Sequence, residues 1–219
     1  MAARANRIEK RPAPRLYLVT PEVAEPAGVR DALAAALSAA DVAAVLLRLA
    51  AADDRTLINR AKALAPIVQK QGAALLLGGH PDLVPRAGAD GAHLAGFAAF
   101  EEARALLKPE RIAGCGGLET RHDAMLAAEA DADYVMFGEP DTQGRKSSFE
   151  AVLDRIAWWA EVFETPCVGF AATADEAEQL AAAGADFVAL GDCVFGDARG
   201  SAAAIADTAK RLALAEVGG

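Results

Sequence analysis

The stretch Ala183-Gly184-Ala185-Asp186-Phe187-Val188-Ala189-Leu190-Gly191 decides the fold. Small residues, with a glycine where a left-handed helix cap belongs, lead through an aspartate into an apolar run. The run is continuous rather than alternating, which suits a strand buried on both faces. Two other stretches echo it. Ala87-Gly88-Ala89-Asp90 precedes Gly91–Leu94, and Asp131-Ala132-Asp133-Tyr134 opens another apolar run that ends at Gly138. Each sits where a helical pattern hands over to a strand.

Outward from these hand-overs the same rhythm covers the chain from Arg15 onward. The predicted strands are Leu16–Thr20, Val42–Arg48, Ala73–Leu77, Gly91–Leu94, Arg111–Cys115, Asp133–Gly138, Cys167–Phe170 and Phe187–Leu190. Between them lie helical patterns over Gly28–Ala39, Asp54–Gln71, Phe100–Leu107, Arg121–Ala130, Phe149–Phe163 and Asp175–Ala183. A last helix over Ser201–Glu216 follows. Strands that alternate with helix-sized segments predict a parallel sheet, and eight of them fit a single α/β domain, a (β/α)8 TIM barrel over residues 15–219. A doubly wound sheet is the other architecture this order allows. Residues 1–14 read as a flexible N-terminal arm, with Pro12 and Pro14 discouraging regular structure.

Composition agrees with one soluble globular domain: 219 residues, 53% hydrophobic, 24% charged and 5% aromatic. The net charge of −9 repels phosphate backbones and anionic lipid, which argues against nucleic-acid and membrane partners. A local basic pocket for one small anion stays open. Cys115, Cys167 and Cys193 form no paired motif, so neither a disulfide framework nor a zinc module follows. The basic N-terminus lacks the apolar stretch of a secretory signal, and no run approaches the ~18 apolar residues of a membrane helix. A cytoplasmic location is expected.

In such a barrel chemistry gathers at the C-terminal strand ends. Those ends carry Arg48, Gly78-Gly79-His80, His93-Leu94-Ala95-Gly96, Gly114-Cys115-Gly116-Gly117 and Gly138-Glu139. Past them come a polar loop with Arg145 and Lys146, then Gly169–Thr173 and Gly191-Asp192. Arg48 points into the mouth or to a carboxylate such as Asp192. His93 reads as a hydrogen-bonded structural histidine and His80 as a loop or helix-start residue. Lys146 is a solvated charge or an anion contact. Trp158, Trp159 and Phe163 read as helix packing or a subunit contact, which leaves room for a homo-oligomer.

Leu16-Tyr17-Leu18-Val19-Thr20, Gly88-Ala89-Asp90-Gly91-Ala92-His93-Leu94, Asp133-Tyr134-Val135-Met136-Phe137-Gly138 and Ala183-Gly184-Ala185-Asp186 fall in a familiar order and spacing. From Arg15 to Phe195 the chain resembles the superfamily of thiamine phosphate synthases and TenI-type thiazole tautomerases. The resemblance implies a TIM barrel of thiamine biosynthesis. Its synthases join a pyrimidine diphosphate to a thiazole phosphate, with Mg²⁺ on the leaving diphosphate. Residue by residue, the equipment differs here. Of the Q-x-R-x-K pattern that ends strand two, Arg48 is kept and Leu46 and Ala50 replace its partners. Gly78-Gly79 stands for the Asn-Asp pair after strand three, and Ala98 for the second metal carboxylate. Gly116 stands for the serine after strand five. Lys146 is retained, while Gln143 and Arg145 replace threonines. Ala171-Ala172 replaces the glycine pair after strand seven, and Asp192 a small polar residue after strand eight.

By this resemblance Arg48, Lys146, Gly169, Gly191 and Asp192 would surround a small phosphorylated or anionic ligand of thiazole or pyrimidine type. No metal ligand is assigned, and Mg²⁺ enters only with retained synthase activity. Both carboxylates that would hold it are replaced, so the standard turnover is not expected. A TenI-type tautomerase needs only a general base, for which Glu119 and His122 are the candidates. A non-catalytic relative that binds another small anion or a protein partner is the third reading.

Overall fold

The computed structural model describes residues 13–140 and 145–217, with side chains described through Leu214. Of the N-terminal arm, residues 1–12 lie outside the described residues, as does the loop at 141–144 that holds Gln143. The strands are β1 (Arg15–Val19), β2 (Val42–Leu47), β3 (Ala74–Gly78), β4 (Gly91–Ala95), β5 (Ile112–Gly116), β6 (Tyr134–Phe137), β7 (Cys167–Ala171) and β8 (Phe187–Leu190). All are parallel and each pairs with its neighbours in chain order. β8 returns to β1 with Arg15 opposite Phe187 and Leu18 opposite Leu190, which closes the barrel. The expected (β/α)8 architecture is the one found.

The surrounding helices are α1 (Ala27–Ala39), α2 (Asp54–Gln69), α3 (Val84–Ala87), α4 (Phe97–Leu107), α5 (Arg121–Glu129), α6 (Phe149–Val162), α7 (Ala174–Ala182), α8 (Asp192–Phe195) and α9 (Ser201–Val217). The long ones match the amphipathic patterns. α4 starts three residues before the predicted helix, because Gly96 at φ 89° turns the chain into the helix immediately after β4. The one-turn helices α3 and α8 are too short to show a period in the sequence.

Two apolar layers explain the continuous strand runs. One face of each strand packs under the helices, as Leu18, Val45, Leu75, Leu77, Val135 and Val188 do. The other face fills the barrel interior with Tyr17, Leu46, Leu76, Tyr134, Met136 and Val168 among others. Burial on both faces removes the in-and-out alternation of a half-exposed strand.

The repeated hand-over has a structural purpose at the base of the barrel. The carboxylates of Asp90, Asp133 and Asp186 accept the N–H groups of Leu75, Ala113 and Cys167 at 2.7, 2.7 and 2.8 Å. The backbone N–H of each aspartate returns a bond to the carbonyl of that same residue. Each aspartate therefore brackets the preceding strand at the start of the next. Asp41, before β2, takes Arg15 of β1 instead, at 3.2 Å. Gly88 and Gly184 hold φ 72° and 99° in the turns before two of these brackets, and Asp131 holds φ 66° in the third.

Candidate active site at the barrel mouth

β4, β5 and β6 build the most developed part of the mouth. His93 stands on the inner face of β4 and is 4% exposed. Its Nδ1 lies 2.8 Å from the Tyr134 hydroxyl, and its Nε2 lies 3.0 and 3.1 Å from the two Glu139 oxygens. The Tyr134 and Tyr17 hydroxyls are 2.9 Å apart. Burial holds both phenols far above their ordinary pKa, so they stay protonated. One pattern then satisfies every partner: Tyr17 donates to Tyr134, Tyr134 to His93 Nδ1, and His93 Nε2–H to the Glu139 carboxylate.

The chain of bonds fits because β5 presents Gly114 and Gly116 to it. A Cβ at Gly114 would overlap the Tyr134 ring, and one at Gly116 would overlap the Glu139 carboxyl and the His93 ring. The Gly114-x-Gly116 spacing puts both gaps on one strand face. Cys115, between them, points the other way and is buried; burial, with the charges of Glu139 and Asp123, pushes its thiol up to about 12. It is unreactive at neutral pH.

Above Glu139 a cleft of about 250 Å³ opens between the ends of β5 and β6, and its lining includes Met136, Glu139, Glu119, Arg145, Lys146 and Arg155. Arg155 of α6 donates to the carbonyls of Leu118 and Glu119 at 3.3 and 3.0 Å, fixing the loop that carries Glu119. Glu119 faces Arg145 at 3.6 Å, both well exposed. A second cleft, lined by Ala95 to Ala98, Gly117, Glu119 and Asp123, adjoins it. A capping box between Thr120 and Asp123 starts α5 and leaves His122 exposed on its first turn, in the lining of neither cleft.

The other expected residues lie on other sides of the mouth. Arg48 is exposed one residue past β2, across the closed barrel from β6. Its backbone is fixed: the N–H donates to Thr20 Oγ1 at 3.1 Å, and the carbonyl accepts from Val23 at 2.8 Å. Among the described residues no ion pair joins it to Asp192. Gly169 turns its Cβ direction to Leu180 of α7, whereas Gly191 is buried beside Phe170 and the Val19 carbonyl. Asp192 is exposed at the start of α8. Ala172, in place of a glycine, already gives its N–H to Glu176 Oε2 at 2.6 Å. Burial raises the Cys193 thiol, with backbone bonds opposing and the Asp192 and Glu176 charges adding. The β7–β8 side of the mouth is thus acidic.

Mg²⁺ favours near-octahedral oxygen coordination with one or two carboxylates. Gly79 and Ala98 offer no carboxylate where the resemblance puts them. Among the described residues no group of three or more His, Cys, Asp or Glu is placed to hold a metal ion. These residues do not fit the metal.

The family model described as thiamine monophosphate synthase matches residues 16–194. The chain belongs to the thiamine monophosphate synthase family. Within that family it is 41% identical over 196 residues to the thiamine-phosphate synthase of Rhodospirillum centenum, covering 88% of this chain and 95% of the relative. It is 35% identical over 205 residues to that of Hyphomonas neptunium, covering 90% and 93%. Among solved structures, the thiamine phosphate pyrophosphorylase from Pyrococcus furiosus superposes with a TM-score of 0.74. That match covers 92% of this chain and 96% of the other at 22% identity, and it carries the fold alone. No helix among the described residues is long and apolar enough to cross a membrane.

The pairing of His93 with Glu139 was the part of the site that sequence reasoning missed. Its available signal was the pair of inward glycines on β5, which marks a space that something large must fill.

Proposed function

We propose that this is a thiamine phosphate synthase-like protein of thiamine biosynthesis that binds a small phosphorylated thiazole- or pyrimidine-type ligand at the barrel mouth, without the metal-assisted turnover of the synthases. The observation that carries this reading is the cleft at β5–β6, where Arg145, Lys146 and Arg155 outnumber Glu119 and Glu139 in a chain of net charge −9. Charge-assisted bonds from such groups are the strong ones for a phosphate. Arg48 adds a cation across the mouth. A diphosphate leaving group, by contrast, depends on a metal that these residues do not fit.

Calorimetric titration with thiamine phosphate, with and without Mg²⁺, tests the reading. Micromolar binding indifferent to the metal is expected. Lys146→Ala should weaken it about tenfold and Arg48→Ala about threefold. Affinity unchanged in both variants would sink the anion site. Mg²⁺-dependent formation of thiamine phosphate from the two substrates would overturn the rest.

A TenI-type tautomerase is the second reading, favoured by the place of Glu119 in the lining of both clefts. It predicts that Glu119→Gln abolishes aromatisation of a thiazole carboxy-phosphate. His122→Gln, outside the lining of both clefts, should leave it unchanged.

A further inference from the structure

The β5–β6 cleft is polar across its depth. Its outer wall carries Arg145, 65% exposed and paired with the exposed Glu119 at 3.6 Å, and the exposed Lys146. Its floor carries buried Met136 and the Glu139 side chain, 13% exposed. The floor carboxylate is held in place by the His93 ring: among the described residues its hydrogen bonds go to His93. His93 is fixed in turn by Tyr134, and Gly116 leaves the space that the carboxylate needs.

A phosphate pressed against Glu139 would meet like charge at close range, which is strongly repulsive away from bulk water. The phosphate therefore belongs with the outer cations. The part of the ligand that reaches the floor faces an acceptor with unused lone pairs, since a carboxylate offers about four and His93 takes one side. A methyl or ring C–H there would strip water from the carboxylate and return nothing. A nitrogen that donates a hydrogen would complete it.

We propose that Glu139, positioned by His93, is the specificity-determining residue of this cleft, and that the cleft takes a small phosphate ester bearing a cationic or hydrogen-donating nitrogen at its far end. This rests on the anion-binding reading above and adds the nitrogen to it. The pair separates two functions by depth: Lys146 recognises the phosphate and Glu139 the nitrogen.

A matched pair of probes tests the proposal: 4-methylbenzyl phosphate and 4-(aminomethyl)benzyl phosphate, which differ by one ammonium group. The unmodified protein should bind the aminomethyl ester about tenfold more tightly, the size of a charge-assisted hydrogen bond. Glu139→Gln should bring the ratio close to one. Lys146→Ala should weaken both esters by the same factor and keep the ratio. Equal affinities in the unmodified protein, a ratio kept by Glu139→Gln, or no binding of either ester at millimolar concentration would each overturn the proposal. The ratio in the unmodified protein requires no variant to fold. If thiamine phosphate fails to bind while the ratio stands, the thiamine assignment falls and the role of Glu139 survives.

Discussion

The two sides of the barrel mouth share an architecture and differ in charge. At β5–β6 a loop and helix α6 bring Arg145, Lys146 and Arg155 over a cleft, and glycines on β5 clear space for one fixed carboxylate. At β7–β8, by contrast, Glu176 occupies the Ala172 N–H and Asp192 stands exposed at the start of α8. An amide already bonded to a carboxylate at 2.6 Å has nothing left for a phosphate. Strand ends of one barrel can therefore attract or repel the same anion. The backbone sets where ligands may sit, and a few side chains choose among those places.

The sharpest way to break this contrast is to fill the space on each side. Gly116→Ala drives a methyl into the Glu139 carboxyl and the His93 ring, both held by short bonds. Overpacking of that kind costs about 1–3 kcal/mol, and denaturant unfolding should show a loss near the upper end. Gly169→Ala on β7 meets the buried Leu180 side chain at 2.9 Å, a smaller overlap than either at Gly116. Its loss should lie near the lower end of that range, about 1 kcal/mol. Equal losses would mean that the His93–Glu139 pair is no more tightly packed than the strand–helix layer.

A charge change on the acidic side comes next in size. Glu176→Ala frees the Ala172 amide and removes a negative charge, while α7 keeps its Thr173 cap. Loss of a first-turn carboxylate costs about 0.5–1 kcal/mol of stability. Affinity for inorganic phosphate should rise about threefold, roughly 0.65 kcal/mol. The change opposes the loss expected from Lys146→Ala. A phosphate affinity that Glu176→Ala leaves unaltered would show that β7–β8 takes no part in anion selection.

How much of this could be read beforehand depended on how local each signal is. The barrel was legible because every strand announces itself within a few residues, by an apolar run and often by an Asp–strand boundary. Asp90, Asp133 and Asp186 mark three of those boundaries, and their brackets explain why the mark recurs. The site was legible only in part. Lys146 and Glu119 were found at the cleft that they line. Glu139 was seen only as a strand end, since its bond to His93 spans 46 positions of sequence. The occupied Ala172 amide had a local sign in Thr173-x-x-Glu176, the spacing of a capping box. The opposite sides taken by Arg48 and Lys146 follow from barrel closure, which no local pattern reports.

The smallest effect concerns the acidic side again and is read through pH. Just past α8, Arg199 donates to Asp197 at 3.1 and 2.9 Å. Those bonds, with one from the Arg199 backbone, hold the Asp197 carboxyl down from the ordinary 3.8 to about 2. A carboxyl whose pKa is lower when folded stabilises the fold at any pH above its unfolded value. The contribution drains away as the pH falls from 3.8 towards about 2. Urea unfolding of the unmodified protein and of Asp197→Asn should therefore differ by a constant amount above pH ~4, with the gap closing towards pH ~2. A gap independent of pH would mean that Asn keeps the same bonds to Arg199 and that charge adds nothing there. A closing gap would show that the β8 side holds its own loop by pairing a carboxylate with a cation. At the β5–β6 cleft Lys146 and Glu139 line one space at different depths, where the proposed ligand would come between them.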